Sequence, residues 1–150
     1  MLIKLQPDQI SLFWDLIREG MIKSFRIPDR FSQDFSINAL KQLLTGETQC
    51  WLGHEVKDDN TKEINYILTT QIVDEKYYGL RAMYITSIHS LKPITADVLT
   101  EIHSALENYA LVNNCNVVMA DYYNERVKRF LLDTGFEKFK STCRLFLGGN

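Results

Sequence analysis

Cysteine and histidine are the residues best suited to bind a metal or to carry redox chemistry, and this sequence has few of them. The cysteines are widely spaced and none forms a Cys-x-x-Cys pair. The histidines show neither the His-x-x-x-His nor the His-Glu-x-x-His spacing of zinc sites. The residues concerned are Cys50, Cys115, Cys143, His54, His89 and His103. Their spacing predicts reduced thiols and no metal site.

Two adjacent phenols, Tyr122 and Tyr123, follow the short apolar run Val117–Ala120. A continuously apolar run of this length is typical of a strand that is buried on both faces. Because the carboxyl ends of such strands border clefts, a phenol here is placed to transfer a proton. Packing in the core or at an interface is the competing interpretation. The neighbouring Asp121 is either a base or the partner of a nearby cation.

The first third of the chain is predicted to form a strand followed by two helices. Residues 1–5 alternate as in a short strand, and Pro7 begins a helix in the way that proline and an acidic first turn favour. The helical pattern breaks around Pro28. A second, shorter helix ends at Gly46, where a left-handed residue is favoured. The apolar positions of the two helices are Ile10, Phe13, Trp14, Ile17, Met21, Ile37, Leu40, Leu43 and Leu44.

Three neighbouring antiparallel strands are predicted next. Residues 50–56 and 64–73 are rich in β-branched and aromatic side chains, and the polar segment 57–63 between them predicts a hairpin. A third strand over residues 80–88 follows Gly79.

A crossover follows the three strands. Pro93 opens the strongest helical pattern of the chain, in which apolar residues recur at helical spacing between positions 98 and 110. The buried strand Val117–Ala120 comes next. A strand, helix and strand in this order imply parallel pairing.

The last part of the chain is predicted to form a helix and one or two strands. Asn124 caps the helix, Gly135 ends it, and residues 136–147 alternate as strands do. The order is then β α α β β β α β α β, with one optional further strand. This order predicts a single domain over residues 1–150, of the α+β class, with helices on both faces of a mixed, mostly antiparallel sheet.

The segment that starts at Asn124, N-E-R-V-K-R-F-L-L-D-T-G-F, carries a family resemblance. It resembles the N-x-x-A-x-x-x-Y-x-x-x-G-F helix of the GCN5-related N-acetyltransferase (GNAT) superfamily, with the same spacing. The predicted order of elements is also similar to the order in that superfamily. The resemblance implies a GNAT-like fold in which residues 80–88 and Val117–Ala120 splay apart to admit the pantetheine arm of acetyl-CoA.

The resemblance also implies where acetyl-CoA binds. The strand before the long helix bonds to the pantetheine arm, and the Ile85 amide polarises the thioester carbonyl. The pyrophosphate lies on the amides at the start of the long helix, which favours anions. An ungapped alignment puts residues 90–95 at that position. The cofactor-binding residues expected from the resemblance are Ile85, Ser87, Lys92, Ile94, Thr95, Ala96 and Asn124.

The sequence departs from the superfamily pattern at two places. The pyrophosphate loop usually reads Q/R-x-x-G-x-G/A, whereas Pro93 and Thr95 replace the two glycines here. Proline has no N–H to donate, although Lys92 offers a charge and Thr95 a hydroxyl. The helix tyrosine that protonates the departing thiolate in the superfamily falls on Leu131, which cannot do so.

The resemblance suggests substitutes for the missing acid and a base. Tyr122 or Tyr123 is expected to serve as the acid. Glu55, on a strand that faces the acceptor in this fold, is expected to take the proton from the amine. Asn124 is equally well explained as a helix cap, and Gly135 and Phe136 are better explained as a helix C-cap and a core aromatic than as part of a site.

Two function hypotheses follow. The first is an acetyl-CoA-dependent N-acetyltransferase that acts on a small-molecule or peptide amine by direct attack, a reaction that loss of the acid slows without abolishing. The second is a catalytically silent GNAT-fold binding or structural module, as in a phage particle or a regulatory complex. The loss of both the glycines and the tyrosine supports the second hypothesis, since a fold does not carry function by itself.

Composition limits the partners. A net charge of -2 over 150 residues argues against a protein that coats nucleic acid, and the basic residues near the end alternate with acidic and apolar ones. The apolar stretches fall far short of the roughly 20 residues that cross a bilayer. We therefore expect a cytoplasmic protein with no nucleic-acid or membrane partner, and a homodimer stays open.

Overall fold

The computed structural model describes residues 1–77, 79–122, 125–139 and 144–147. The described strands are β1 (Leu2–Lys4), β2 (Thr48–Val56), β3 (Lys62–Glu75), β4 (Leu80–Ser90) and β5 (Val117–Ala120), and the α-helices are α1 (Trp14–Phe25), α2 (Ser32–Thr45), α3 (Ala96–Val112) and α4 (Glu125–Asp133). The sequence prediction is confirmed in kind and order through α4. A 3-10 helix precedes each of the first two α-helices, over Pro7–Phe13 and Asp29–Phe31, so the α-helical part of the first predicted helix begins at Trp14 and not at Pro7.

The strands form one five-stranded sheet in the order β1-β2-β3-β4-β5. The first four strands pair antiparallel, as short connections allow. Because α3 lies between β4 and β5 in the chain, β5 returns parallel to β4. The fold is a mixed α/β arrangement with a mostly antiparallel sheet.

Each face of the sheet carries its own apolar core. The core on the α1/α2 face consists of Leu5, Ile10, Ile17, Met21, Ala39, Leu43, Cys50, Leu52 and Ile67. The core on the α3 face consists of Trp51, Tyr66, Leu68, Met83, Ile102, Leu106 and Ala110. Successive residues of β2 alternate between the two cores, with Cys50 and Leu52 on one face and Trp51 on the other, because a strand has a side-chain period of two.

Helix α1 lies against β4 at close range. The His89 ring packs on Gly20, where a Cβ would lie 3.0 Å from His89 Cδ2. Nearby, Ser24 Oγ donates a 3.0 Å hydrogen bond to the Ile88 carbonyl. Helix α1 therefore needs a residue without a side chain at position 20. The Ser24 hydroxyl gives the Ile88 carbonyl a hydrogen-bond partner.

A second close approach lies within the sheet. Gly53 of β2 pairs with Tyr66 of β3, and a Cβ on Gly53 would lie 2.0 Å from Tyr66 Cζ. The tyrosine ring thus covers the glycine backbone. The Tyr66 side chain is only 3% exposed as a result.

The C-terminal segment differs from the prediction. Residues 136–139 and 144–147 do not lie in strands, and residues 140–143 are outside the described part of the chain. Instead of pairing in a ladder, the described residues make side-chain contacts: Phe146 stacks on Phe31, and Arg144 donates a 2.9 Å hydrogen bond to the Arg26 carbonyl. An alternating pattern predicts that one face of a segment is buried and the other is exposed. It does not determine whether another strand lies beside the segment and pairs with it.

Within the described part of the chain, every helix is too short or too polar to span a membrane.

Candidate active site

Strands β4 and β5 pair over only four residues. The register runs from Ala82 opposite Val117 to Ile85 opposite Ala120, where β5 ends. Strand β4 continues to Ser90. Residues 86–90 of β4 therefore have no neighbour on the β5 side among the described strands, and we call this unpaired stretch the gap.

A β-bulge in β4 coincides with the start of this gap. Thr70 of β3 pairs with Ile85, and the preceding Thr69 pairs with Ser87, which leaves Thr86 as an extra residue. The Thr69 hydroxyl lies 2.7 Å from that of Thr86 and 2.5 Å from that of Ser87, so both side chains point to the α1/α2 face. A bulge bends a strand and increases its twist. We therefore expect a bend in β4 near the point where β5 ends.

The loop after β4 leads to the start of α3. The Leu91 amide donates to the Asn65 carbonyl at 2.8 Å, which ties the loop to β3. The Thr95 hydroxyl caps α3 by accepting from the Val98 amide at 3.3 Å. The amides of Ala96 and Asp97, in the first turn, have no partner within the helix. These exposed amides lie at the end of the loop that starts at the gap.

Two cations lie along this loop. Lys92 Nζ is 2.5 Å from a Glu63 carboxylate oxygen that also lies 3.2 Å from Lys57 Nζ. The hydrogen bonds from Lys92 and Lys57 hold the pKa of the Glu63 carboxyl below its ordinary value. Arg126, in the first turn of α4, donates a 2.6 Å hydrogen bond to the Ile94 carbonyl.

Sequence reasoning missed Arg126. It used Asn124 as the α4 contact and counted the nearby basic residues only as a charge balance. The available signal was a set of basic residues on the first turns of α4, but the contact of Arg126 with the loop depends on how α4 packs, which no local pattern encodes.

The structure brings most of the predicted cofactor-binding residues onto one path. Ile85 contacts the α3-face core at the start of the gap and Ile94 contacts the same core from the loop, whereas the buried Ser87 side chain points to the α1/α2 face. Lys92, Thr95 and Ala96 complete the path to α3. Asn124 lies outside the described residues.

The predicted catalytic residues are not brought together. Tyr122 lies two residues after the end of β5, half-buried, with its ring centroid 5.7 Å from Lys128 Nζ, and so borders the gap. Tyr123 lies outside the described residues. Leu131 is buried on the inner side of α4.

Glu55 lies at the opposite end of the sheet. It pairs with Glu63 on β3, whereas Ile85 pairs with Thr70 of the same strand. The intervening rise is roughly 20 Å at about 3.3 Å per residue. Glu55 is also exposed. The geometry does not support a direct proton transfer from an amine at the gap to Glu55, so that role stays an untested prediction.

A cavity of 230 Å³ lies on the α1/α2 face of the sheet, beside the bulge. Thr86 lines it, and its walls come from α1, α2 and the inner strands. At its base, Gln42 Oε1 accepts hydrogen bonds from Gln71 Nε2 at 2.8 Å and from the Thr48 hydroxyl at 3.0 Å. We call this the helix-side cavity.

Neither a family model nor a curated protein matches the sequence. Solved structures do match. An aminoglycoside acetyltransferase from an uncultured soil metagenomic sample has a TM-score of 0.72 at 12% identity, and the alignment covers 99% of this chain and 98% of that one. A GCN5-related N-acetyltransferase from Ralstonia eutropha has a TM-score of 0.70 at 12% identity, with 99% of both chains covered.

A third structure was determined with acetyl-CoA. This predicted acetyltransferase from Clostridium acetobutylicum has a TM-score of 0.69 at 17% identity, with 97% of this chain and 95% of that one covered. At such identities the likeness is one of fold. The chain therefore has the fold of the GCN5-related N-acetyltransferases, carried by a divergent sequence.

Proposed function

We propose that this protein is an N-acetyltransferase that transfers the acetyl group of acetyl-CoA to an amine. The observation that carries the proposal is the gap between β4 and β5, which opens at the β4 bulge and leads to the exposed amides of α3. The alternative, a silent binding module, does not by itself require such a gap. The acetyl-CoA in the similar Clostridium structure supports the same assignment.

The residues at the gap fit the parts of acetyl-CoA. The pantetheine arm contains amide groups, and residues 86–90 of β4 present an unpaired strand edge that can bond to them. The first-turn amides of α3 suit the pyrophosphate. Pro93 donates no N–H, so the loop offers less than a glycine-rich one. Arg126 compensates, because a guanidinium has five donors and the hydrogen bond to Ile94 uses one of them.

Acetyl transfer requires that the amine and the thioester are oriented toward each other and that protons are removed from the amine and delivered to the thiolate. The amine nitrogen forms a bond to the thioester carbon, the carbon–sulfur bond breaks, and the amine gives up one proton while the thiolate takes one up. The edge of β4 at Ile85 would hold the thioester carbonyl near a strand amide, which stabilises developing negative charge. Tyr122, at the border of the gap, is the group we assign as the proton donor to sulfur.

Calorimetric titration of the full chain with acetyl-CoA tests the proposal. We expect saturable heat and a rise in Tm with ligand concentration. Replacing Arg126 with Ala is expected to weaken binding about tenfold, or roughly 1.4 kcal/mol, because a charge-assisted hydrogen bond to phosphate is lost. Lys92→Ala should also weaken binding, by less, since Glu63 already neutralises Lys92.

Arg129→Ala is the matched control, since Arg129 is an exposed arginine on the same helix. It should change the affinity by less than about twofold. No heat and no Tm shift at millimolar acetyl-CoA would end the transferase proposal and leave the silent binding module. Equal effects of the two arginine substitutions would remove Arg126 from the phosphate site.

A further inference from the structure

The helix-side cavity lies beside the start of the gap. Thr86, the extra residue of the bulge, lines the cavity and directly follows Ile85, the last residue of β4 that pairs with β5. The cavity therefore opens on one face of β4 at the position along the strand where the gap begins. A group bound in it lies beside the reacting end of a thioester held in the gap.

The size of the cavity limits what it encloses. Pockets that enclose a whole drug-sized ligand measure about 300–1,000 Å³, whereas this one measures 230 Å³. It can therefore take one end of an acceptor. Met21, Phe25 and Phe35 form an apolar wall, and the two phenylalanine rings lie 5.6 Å apart.

The lining carries no formal charge. Among the described residues, the polar groups that line the cavity are amides and hydroxyls, with no Asp, Glu, Lys or Arg. A carboxylate or a second ammonium group bound there would lose water without gaining an opposite charge, which is costly. The cavity therefore favours an uncharged polar group.

Two glutamines present a matched donor and acceptor. Gln42 uses its Oε1 and Gln71 uses its Nε2 in the hydrogen bonds at the base of the cavity. Gln42 Nε2 and Gln71 Oε1 have no hydrogen-bond partner among the described residues. A carboxamide or a peptide group has the complementary pair, a carbonyl oxygen and an N–H.

We propose that the helix-side cavity binds the uncharged carboxamide of an α-amino amide, the group that follows the free amine at a peptide N-terminus. The carbonyl accepts from Gln42 Nε2, the amide N–H donates to Gln71 Oε1, and the adjoining side chain contacts the apolar wall. This inference rests on the proposed function in one respect, namely that the free amine next to the carboxamide is acetylated. The recognition of the carboxamide is a property of the cavity alone.

The test compares three probes that differ in charge: phenylalaninamide, free phenylalanine and 1,4-diaminobutane. Binding to the full chain is measured by protein chemical-shift titration, with and without CoA, and acetylation rates are measured in parallel. We expect phenylalaninamide to bind at least tenfold more tightly than the other two. Gln71→Leu is expected to weaken phenylalaninamide about tenfold, whereas Gln33→Leu, on an exposed face of α2, should leave it unchanged.

A second variant leaves the hydrogen bonds among Gln42, Thr48 and Gln71 intact. Asn38 lines the cavity and is exposed, and its side chain makes no hydrogen bond with other described residues. Asn38→Asp adds a charge without removing a contact, so it should shift the preference toward 1,4-diaminobutane.

The outcomes separate this inference from the proposed function. Phenylalanine binding within threefold of its amide, an unchanged affinity in Gln71→Leu, or no binding of the amide at all would overturn the carboxamide assignment. Faster acetylation of 1,4-diaminobutane than of phenylalaninamide would overturn it while the transferase proposal stands. Tight amide binding without any affinity for acetyl-CoA would support the cavity assignment and reject the transferase.

Discussion

At the scale of single residues, the hydroxyl of Tyr122 is the group at the border of the gap whose loss we expect to be felt in catalysis. Tyr122→Phe keeps the ring beside Lys128 and removes only the O–H. We expect kcat to fall about 10²-fold, in the range of general acid catalysis, with little change in the affinity for acetyl-CoA. The measurement is the rate of thiol release.

Tyr77→Phe is the control for this prediction, because Tyr77 is 91% exposed and lies outside the gap. An unchanged kcat in Tyr122→Phe would show that the thiolate leaves without this phenol.

The hydroxyl of Tyr66 bears on stability. It is buried with no hydrogen-bond partner among the described residues, and burial, with a smaller contribution from Glu101, raises the pKa of Tyr66 to about 12. An unsatisfied buried hydroxyl costs about 1–3 kcal/mol. Tyr66→Phe is therefore expected to raise the free energy of unfolding by about 1 kcal/mol in urea denaturation.

Tyr109→Phe is the comparison for Tyr66, since Tyr109 packs in the same core against Trp51. It should change the free energy of unfolding by less. A loss of stability in Tyr66→Phe would indicate that the hydroxyl has a partner such as an ordered water.

At the scale of elements, the pairing of β2 with β3 depends on the absence of a side chain at position 53. Gly53→Ala would place a Cβ within the Tyr66 ring, and the strands or the ring must shift. We expect the free energy of unfolding to fall by about 3 kcal/mol, the upper part of the usual cost of overpacking. Chemical denaturation measures this loss.

Gly46→Ala tests the cost of backbone conformation without crowding. No atom lies within 4 Å of a Cβ placed there, but Gly46 ends α2 at a φ of 79°. Its replacement should cost about 1 kcal/mol from backbone conformation alone. Equal losses for the two variants would mean that the crowding at Gly53 is relieved at little cost.

The elements were also where sequence reasoning worked best. Helical spacing and strand alternation are local patterns, so the order of the elements through α4 could be predicted. The glycines that end α2 and α4 could be predicted as well, and they have φ of 79° and 99°. The bulge at Thr86 could not, because an extra residue shows only when β4 is placed against Thr69 and Thr70 of β3. The position of Glu55 opposite Glu63 on β3 is likewise a matter of register, and its role as a base stays a prediction.

At the scale of the whole molecule, the buried His54 and the half-buried His89 link stability to pH. Burial lowers the pKa of His54, helped by the Met1 ammonium, and burial lowers the pKa of His89, helped by Lys23. An unfolded histidine titrates near pH 6.5. Below that pH the unfolded chain binds more protons than the folded one, so the free energy of unfolding must fall as the pH drops from 7 toward 5.

Urea denaturation across this pH range measures the effect. The double variant with Gln at positions 54 and 89 should show a flatter pH dependence than the unchanged protein. An equally steep loss in the double variant would assign the acid sensitivity to other groups.

The gap and the cavity are properties of the assembled molecule, which explains why the site was only partly predictable. The residues from Ile85 to Ala96 follow one another in the chain and were found by resemblance. Arg126 and Gln71 join the site from elements distant in sequence, so their contacts with Ile94 and Gln42 become visible only after packing.

The extra residue of β4 can be lost without disturbing the contact between β4 and α1. With Thr86 removed, Ile85 and Ser87 become neighbours on opposite faces, as in a regular strand, so the residues that follow keep their faces and their partners on β3. The imidazole at position 89 then still packs on Gly20. A lineage that loses the extra residue is consequently expected to keep the glycine of α1, so that the two features vary independently over evolutionary time.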